Sequence, residues 1–426
     1  MKDNDNSLKF RELLQFVFEN KQSDFYRRKY EKAGFNPATD FNSIEDVKKI
    51  PLLGKEELSG LDPFKLLFIG KKEVDGVSST SGTTGEPIII FSSKRVDSPI
   101  PLEKVDFGKC LLLVSPFRIY VSSFWKERGD LVLTGDIHNI PASLQLASKL
   151  EINTIHTTPT LAIVLKDYLD RYPSLKKSLR FLKLGGEVVS LSKKKLLQEL
   201  YPGLKIFTTY ALCEGGRAHV ASQCPFLAEE DSQVCYHPES RYFYFEIIDP
   251  DTGENVEEGK KGELVLTRFG NWATPIIRYK TGDLATFQKN NCPCGYPGPL
   301  LQILGRARYD MIKAGGVELR REMIEKAILS LKDFLEESFE VDVYESFVGN
   351  KPRIKVVINL YLREKVEESP GLRQRVENEL LESWQLSPRF NLRKAVEAGL
   401  FEPLQINFNK HPLSAKTKQV LILHQS

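Results

Sequence analysis

Ser78-Ser79-Thr80-Ser81-Gly82-Thr83-Thr84-Gly85-Glu86-Pro87 lies between two β-like runs. Its two glycines let the backbone bend and approach an anion closely. Successive N–H groups, helped by the serine and threonine hydroxyls, can cradle a polyphosphate. No Gly-Lys-Ser/Thr follows, so this is not the Walker pattern. A plain hydroxyl-rich turn is the competing reading. The buried-looking run Ile88-Ile89-Ile90-Phe91 just after the turn, and the β-like run from Val77 before it, favour the anion cradle.

Working outward, strand-like runs at 110–114, 131–133, 153–156, 181–184 and 206–210 alternate with helical runs at 141–150 and 161–168. Such alternation predicts parallel strands with covering helices. On the N-terminal side, Leu8, Phe10, Leu13, Leu14, Phe16 and Val17 make one apolar helix face over 8–19. Pro37 and Asn42-Ser43 open further helix, which Pro51 breaks. Beyond Phe243 the runs 243–248, 262–267 and 276–279 read as antiparallel β, turned at Asp251-Thr252-Gly253. After Gly305 a smaller unit follows: a helix at 321–331, strands near 339–344 and 353–362, and a helix at 372–386.

The length of 426 residues exceeds one ordinary core and predicts more than one domain. The expected class is α/β. A large N-terminal domain, 1–304, carries parallel and mixed sheets, covering helices and a β subdomain; a small α+β domain spans 305–426. With 60 basic against 57 acidic side chains, the +3 net charge is too small to argue for nucleic acid or membrane as partner. Lys193-Lys194-Lys195 reads as a solvated helix face. No apolar run reaches the ~18 residues of a membrane span, and the polar start shows no signal peptide, so the expected location is cytoplasmic. In a reducing compartment the six cysteines point to metal or to buried small side chains.

Ser79-Thr80-Ser81-Gly82-Thr83-Thr84-Gly85-Glu86-Pro87 resembles the phosphate loop of the adenylate-forming superfamily, in particular its phenylacetate–coenzyme A ligase branch. The opening segment agrees: Phe25-Tyr26-Arg27-Arg28-Lys29-Tyr30, Asp46-Val47-Lys48-Lys49-Ile50-Pro51 and Lys55-Glu56-Glu57-Leu58. Further motifs follow in the family's order. Thr158-Pro159-Thr160 is similar to the segment opening a helix beside the acyl pocket, and Gly185-Gly186-Glu187 to the turn that holds adenine. Tyr210-Ala211-Leu212-Cys213-Glu214 resembles the motif whose ring lies against adenine and whose glutamate binds Mg²⁺. Arg278-Tyr279-Lys280-Thr281-Gly282-Asp283 resembles the segment whose aspartate accepts from both ribose hydroxyls. Gly305-Arg306 resembles the start of the hinge, with a further ribose contact from the arginine. The resemblance runs from about Phe25 to Val420.

That resemblance implies ATP-dependent activation of a carboxylic acid, by default an aryl acid such as phenylacetate, followed by transfer to coenzyme A. The residue types suit the task. A carboxylate must approach ATP against negative charge, so metal, backbone N–H groups and a cation are needed. Glu214 offers a hard oxygen ligand for Mg²⁺. Asp283 can grip a vicinal diol with two oxygens. Leu413-Ser414-Ala415-Lys416-Thr417-Lys418 resembles the catalytic lysine segment, with Ala415 in place of glycine, and makes Lys416 the adenylation lysine; Lys418 and then Lys410 are the fallbacks. Thr158, Pro159 and Ala211 fall by the acyl pocket, and Asp310 is the hinge candidate of a C-terminal domain that swings between half-reactions. A homodimer is also implied.

Cys292-Pro293-Cys294 is a compact thiol pair with Cys224, Cys235 and His237 upstream. Cys224, His237, Cys292 and Cys294 make four tetrahedral ligands for structural zinc, with Cys235 as alternate for Cys224 or His237. Reduced, buried cysteines are the other reading. The chain also departs from the family pattern. The interval from Gly82 to Pro159 is short, Glu86 stands where lysine is common, Val188 and Arg321 replace prolines, and Arg308-Tyr309 carries an extra residue. These departures bear on the acid and on delivery to coenzyme A. Two other readings therefore stand beside the ligase: adenylation with a different acceptor (an acyl-protein synthetase or AMP transfer to a cofactor), and a noncatalytic zinc-braced nucleotide-binding homologue.

Overall fold

Short apolar runs separated by helices give a mainly parallel sheet in the computed structural model, which describes residues 2–79, 87–93, 107–113, 131–137, 139–187, 189, 191–216, 219–306, 311–314, 317–348, 351–363, 365–387, 390–409 and 419–425. Residues 80–86 of the hydroxyl-rich loop, Val188, Arg308, Tyr309, Asp310, Lys410, Lys416 and Lys418 lie outside the described residues. Contacts divide the chain into two units: Met1–Val188 with Gln198–Ile303, and Val189–Leu197 with Leu304–Ser426.

In the first unit β1 (Val74–Ser79) and β2 (Ile89–Ser93) form an antiparallel hairpin around the loop. The main sheet has the order β4-β3-β5-β6-β7-β8-β9. Its strands are β3 (Lys109–Leu113), β4 (Leu131–Thr134), β5 (Thr154–Thr157), β6 (Phe181–Leu184), β7 (Lys205–Tyr210), β8 (Ala221–Ser222) and β9 (His237–Pro238). Pairing is parallel from β4 through β7, and antiparallel from β7 to β9. A second sheet contains β10 (Phe243–Ile248), β11 (Gly262–Arg268), β12 (Ile276–Gln288) and β13 (Leu300–Arg306) in sequential order.

Register places the candidate site. Thr157 pairs with Leu184, and Leu184 with Thr208. Thr158, Gly185 and Tyr210 therefore sit together at the carboxyl edge of neighbouring parallel strands, where open α/β sheets bind ligands. The N-terminal helix Lys2–Glu19 buries Phe10, Leu13, Leu14 and Val17, as its spacing predicts. The Phe10 ring meets Phe269 edge-on at 5.2 Å, fastening this helix to the β subdomain.

In the second unit β14 (Met311–Ala314) and β15 (Val317–Arg320) form a hairpin. The longer strands β16 (Leu335–Val348) and β17 (Lys351–Leu362) pair antiparallel. After the small pair β18 (Gln385–Ser387) and β19 (Phe390–Asn391), β20 (Gln405–Asn409) adds parallel to β17, and β21 (Gln419–Gln425) parallel to β16. The sheet order is β20-β17-β16-β21. Its core includes Phe339, Val356 and Ile358 with Val376 and Trp384.

Several expectations need correction. The helix expected over 372–386 runs Pro370–Ser383, because Trp384 turns extended and drops fully into the core. The helix after Asn42-Ser43 is a 3-10 turn, Ile44–Lys49, tightened where the Asp46 carboxylate accepts the N–H groups of Asn42 and Ser43 at 2.8 and 3.1 Å. The strand read at 276–279 continues to Gln288. Lys193 and Lys194 do not face solvent: both are buried, and Lys193 Nζ lies 2.6 Å from Glu345 Oε2 within the second unit. The stems of long cationic side chains pack well, so a basic run need not be a solvated one.

Candidate active site and metal centre

Each strand end at the carboxyl edge carries a local device. Thr158 caps the helix Pro159–Leu169, its hydroxyl accepting from Leu161 N at 3.2 Å, with Pro159 at the first helical position. Gly185 donates its N–H to Thr157 O at 3.1 Å. A Cβ there would lie 3.0 Å from Thr209 Oγ1 and 3.4 Å from His156 Nε2, so any larger residue would have to push the Thr209 hydroxyl aside by a few tenths of an ångström. Gly186 turns with φ +82°, and Glu187 follows it. On the resemblance's reading of this turn as an adenine holder, Gly185→Ala is expected to weaken nucleotide binding severalfold with little change in fold, read by calorimetric titration.

At the end of β7, Tyr210 Oη donates to Asp283 Oδ2 at 2.6 Å. Ala211, half-buried, leads to Cys213 and Glu214. The Cys213 thiol donates to Ser79 O at 3.1 Å, tying this loop to the described start of the hydroxyl-rich segment. Glu214 is buried, and its Oε1 accepts from Tyr279 Oη at 2.6 Å. The stretch of β12 bearing Asp283 is held from both sides. Thr281 Oγ1 accepts from Asp283 N at 3.0 Å and donates to Leu264 O at 2.7 Å. Gly282 N donates to Glu263 Oε1 at 3.1 Å. Burial pushes the Glu263 carboxyl above its ordinary range, against the pull of Lys280 at 3.4 Å.

Ser79, Tyr210, Glu214 and Asp283 thus share one network in the first unit, alongside the Gly185 turn. Of Arg306 only the backbone, at the end of β13, is described. Three residues in this network, Cys213, Glu263 and Tyr279, were not assigned a part from sequence. The repeated Tyr-x-x-x-acid spacing of Tyr210–Glu214 and Tyr279–Asp283 was the available signal for the last.

The side chains of Cys224, His237, Cys292 and Cys294 place one ligand atom each within 4.8 Å of all the others. His237 Nε2 is 3.4 Å from Cys224 Sγ and 3.2 Å from Cys294 Sγ, and the Cys224 and Cys292 sulfurs are 3.4 Å apart. Three thiols and one imidazole at these separations fit a tetrahedral, thiophilic cation. Desolvation lowers His237 to about 4, so its imidazole is neutral and able to ligate. The Tyr296 ring covers it at 4.5 Å, and its hydroxyl donates to Pro238 O at 2.7 Å. Cys235 is not in this set; its side chain packs with Leu227 and Leu300, and burial raises its thiol to about 11.

No protein-family model matches the chain. The phenylacetate–coenzyme A ligase of Thermus thermophilus is 30% identical over 345 residues, covering 76% of this chain and 74% of the relative. That of Pseudomonas putida is 27% identical over 351 residues, covering 79% and 77%. Among solved structures, a 2-hydroxyisobutyryl-CoA ligase in complex with 2-HIB-AMP and CoA aligns with a TM-score of 0.67 at 20% identity, over 99% of this chain and 89% of that one. The fold is therefore that of the acyl-CoA ligases in the adenylate-forming superfamily. The chain belongs to the phenylacetate–coenzyme A ligase family, AMP-forming acid–thiol ligases. Among the described residues no helix is long and apolar enough to cross a membrane.

Proposed function

We propose that the chain joins an aryl carboxylic acid, of which phenylacetate is the default, to coenzyme A in two steps. The carboxylate attacks the α-phosphate of ATP, giving acyl-AMP and pyrophosphate. The coenzyme A thiol then attacks the acyl carbon, a proton leaves the sulfur, and AMP departs. The network that joins Tyr210 to Asp283 and Tyr279 to Glu214 carries this reading, since it gathers the adenine-facing ring, the diol acceptor and a hard carboxylate.

In this reading Asp283 and Arg306 hold the ribose, and Tyr210 with the 185–187 turn holds adenine. The backbone of 79–85 cradles the phosphates. Glu214 would hold Mg²⁺, which supplies charge neutralisation on the phosphates. Thr158, Pro159 and Ala211 border the acyl group. Lys416 meets both the carboxylate and the α-phosphate as a point charge. Residues 305–426 act as the mobile lid, with Asp310 as hinge. Cys224, His237, Cys292 and Cys294 hold structural zinc, a closed four-ligand site that braces the fold without reacting. The enzyme works in the cytoplasm as a homodimer.

The test is exchange of labelled pyrophosphate into ATP with Mg²⁺ and a panel of aryl, fatty and amino acids. Exchange with an aryl acid, then thioester formation on adding coenzyme A, is the expected result. Silence across the panel would overturn it. The short interval between Gly82 and Pro159 favours a second reading, with an acceptor other than coenzyme A; exchange without thioester would select it.

A further inference from the structure

Two segments of the site share one spacing: Tyr210 precedes Glu214 by four residues, and Tyr279 precedes Asp283 by four. In space the partners are exchanged. Tyr210 Oη donates to Asp283 Oδ2 and Tyr279 Oη donates to Glu214 Oε1, each at 2.6 Å. The residues are buried, with 9% of Tyr210, 8% of Glu214, 2% of Tyr279 and 3% of Asp283 exposed. Each phenol therefore grips the carboxylate of the opposite segment.

We propose that these four side chains form a reciprocal brace, in which Tyr279 is a positioning residue that orients Glu214 toward Mg²⁺. The proposal rests on the reading of Glu214 as the Mg²⁺ ligand and Asp283 as the ribose acceptor. A carboxylate has two oxygens and about four acceptor positions. The Tyr279 hydroxyl takes one position on Oε1 and leaves Oε2 available to a cation. Its short, charge-assisted bond fixes the glutamate rotamer before ligand arrives, so that ordering need not be supplied on binding.

The choice of phenol matters. A lysine or arginine in its place would also orient the carboxylate, but would cancel the charge that attracts a divalent ion. Tyrosine, whose ordinary pKa of about 10 keeps it neutral, orients without neutralising. The crossed arrangement has a second consequence. The metal-facing loop and the ribose-facing stretch of β12 cannot shift independently, because each supplies the other's hydrogen-bond donor. Metal and nucleoside are then gripped by one rigid unit, although their ligands come from the loop after β7 and from β12.

Tyr279→Phe keeps the ring in the core and removes only the hydroxyl, which separates positioning from packing. The readout is calorimetric ATP binding to the full chain as free Mg²⁺ is varied. The Mg²⁺ concentration giving half of the full enhancement is expected to rise on the order of tenfold, the usual worth of one hydrogen bond to a charged group. ATP affinity in chelator should change less than about twofold. Tyr26→Phe is the control. It removes another buried hydroxyl of the same unit, bonded to Pro275 O at 2.9 Å and Ile277 N at 3.2 Å, and should leave the Mg²⁺ midpoint where it was. Combining Tyr210→Phe with Tyr279→Phe should cost less than the two single losses together, since one broken arm already loosens the other.

The proposal is overturned if Tyr279→Phe matches the parent, if Tyr26→Phe shifts the midpoint as far, or if Mg²⁺ does not affect ATP binding by the parent. A parent that binds Mg²⁺–ATP, responds to Tyr279→Phe as described and yet shows no acid-dependent exchange would uphold the brace and defeat the ligase reading.

Discussion

Arg278→Met is expected to cost about 3–5 kcal/mol of folding stability, the usual penalty for stranding one member of a buried ion pair. Arg278 and Glu246 are 3% and 5% exposed. The guanidinium meets the carboxylate in a fork, Nε to Oε2 at 3.0 Å and Nη2 to Oε1 at 2.9 Å. Its third nitrogen, Nη1, donates to Lys48 O at 3.1 Å and Ile50 O at 2.5 Å. One side chain therefore fastens β10, β12 and the N-terminal segment together. The backbone does the same: Leu53 N donates to Arg278 O, and Lys280 N to Leu53 O, each at 2.9 Å.

Arg278 also adopts φ +47°, a left-handed conformation that an L-residue holds only when its surroundings over-determine it. Loss of the side chain removes those surroundings, and Tyr279 and Asp283 lie just beyond on the same strand. Urea unfolding should show a lower midpoint, and nucleotide binding should weaken with it. Lysine will not rescue, because it lacks the planar fork. Pairing Arg278→Met with Glu246→Leu should recover a large part of the stability, since the stranded charge is then gone. A single variant within 1 kcal/mol of the parent would show that water reaches the pair.

Removing the zinc proposed for Cys224, His237, Cys292 and Cys294 is expected to have the next largest effect. At a metal concentration ~1,000 times the dissociation constant, a bound ion stabilises by about 4 kcal/mol. In a unit of this size that corresponds to a melting temperature lower by on the order of 10 °C after chelation. Cys294→Ser should reproduce the loss and make melting insensitive to chelator. The site joins the 292–294 turn to β9, and β9 is joined through β8 to Thr209 and Tyr210. Adenine binding should therefore weaken along with stability. Protein that contains no zinc by elemental analysis, and melts identically with and without chelator, would remove the ion from this account.

Much of the site was legible because its parts are local. The Cys292-Pro293-Cys294 hook lies within a few residues, so residue type and spacing reveal it; the Gly282-Asp283 and Thr158-Pro159 segments are equally local and are read through their resemblance to the family's motifs. The Tyr279–Glu214 bond was not legible, because it joins residues 65 positions apart. The strands β20 and β21 went unread for a similar reason. Each is a strand by virtue of parallel pairing with β17 or β16 far earlier in the chain. β-propensity expresses such context more than intrinsic preference.

Periodicity and turn chemistry along the chain were enough to specify the alternating α/β elements and the β subdomain, and the family resemblance supplied the order of the candidate site's parts. Packing in three dimensions made the remaining choices. It gathered Cys224, His237, Cys292 and Cys294 and left Cys235 among Leu227 and Leu300. It buried Lys193 and Lys194, held Arg278 left-handed and crossed the two tyrosine–carboxylate pairs. The reason is physical: helix and turn preferences act over a few residues, whereas which buried polar group meets which partner depends on strand register and on the cost of leaving either one unsatisfied.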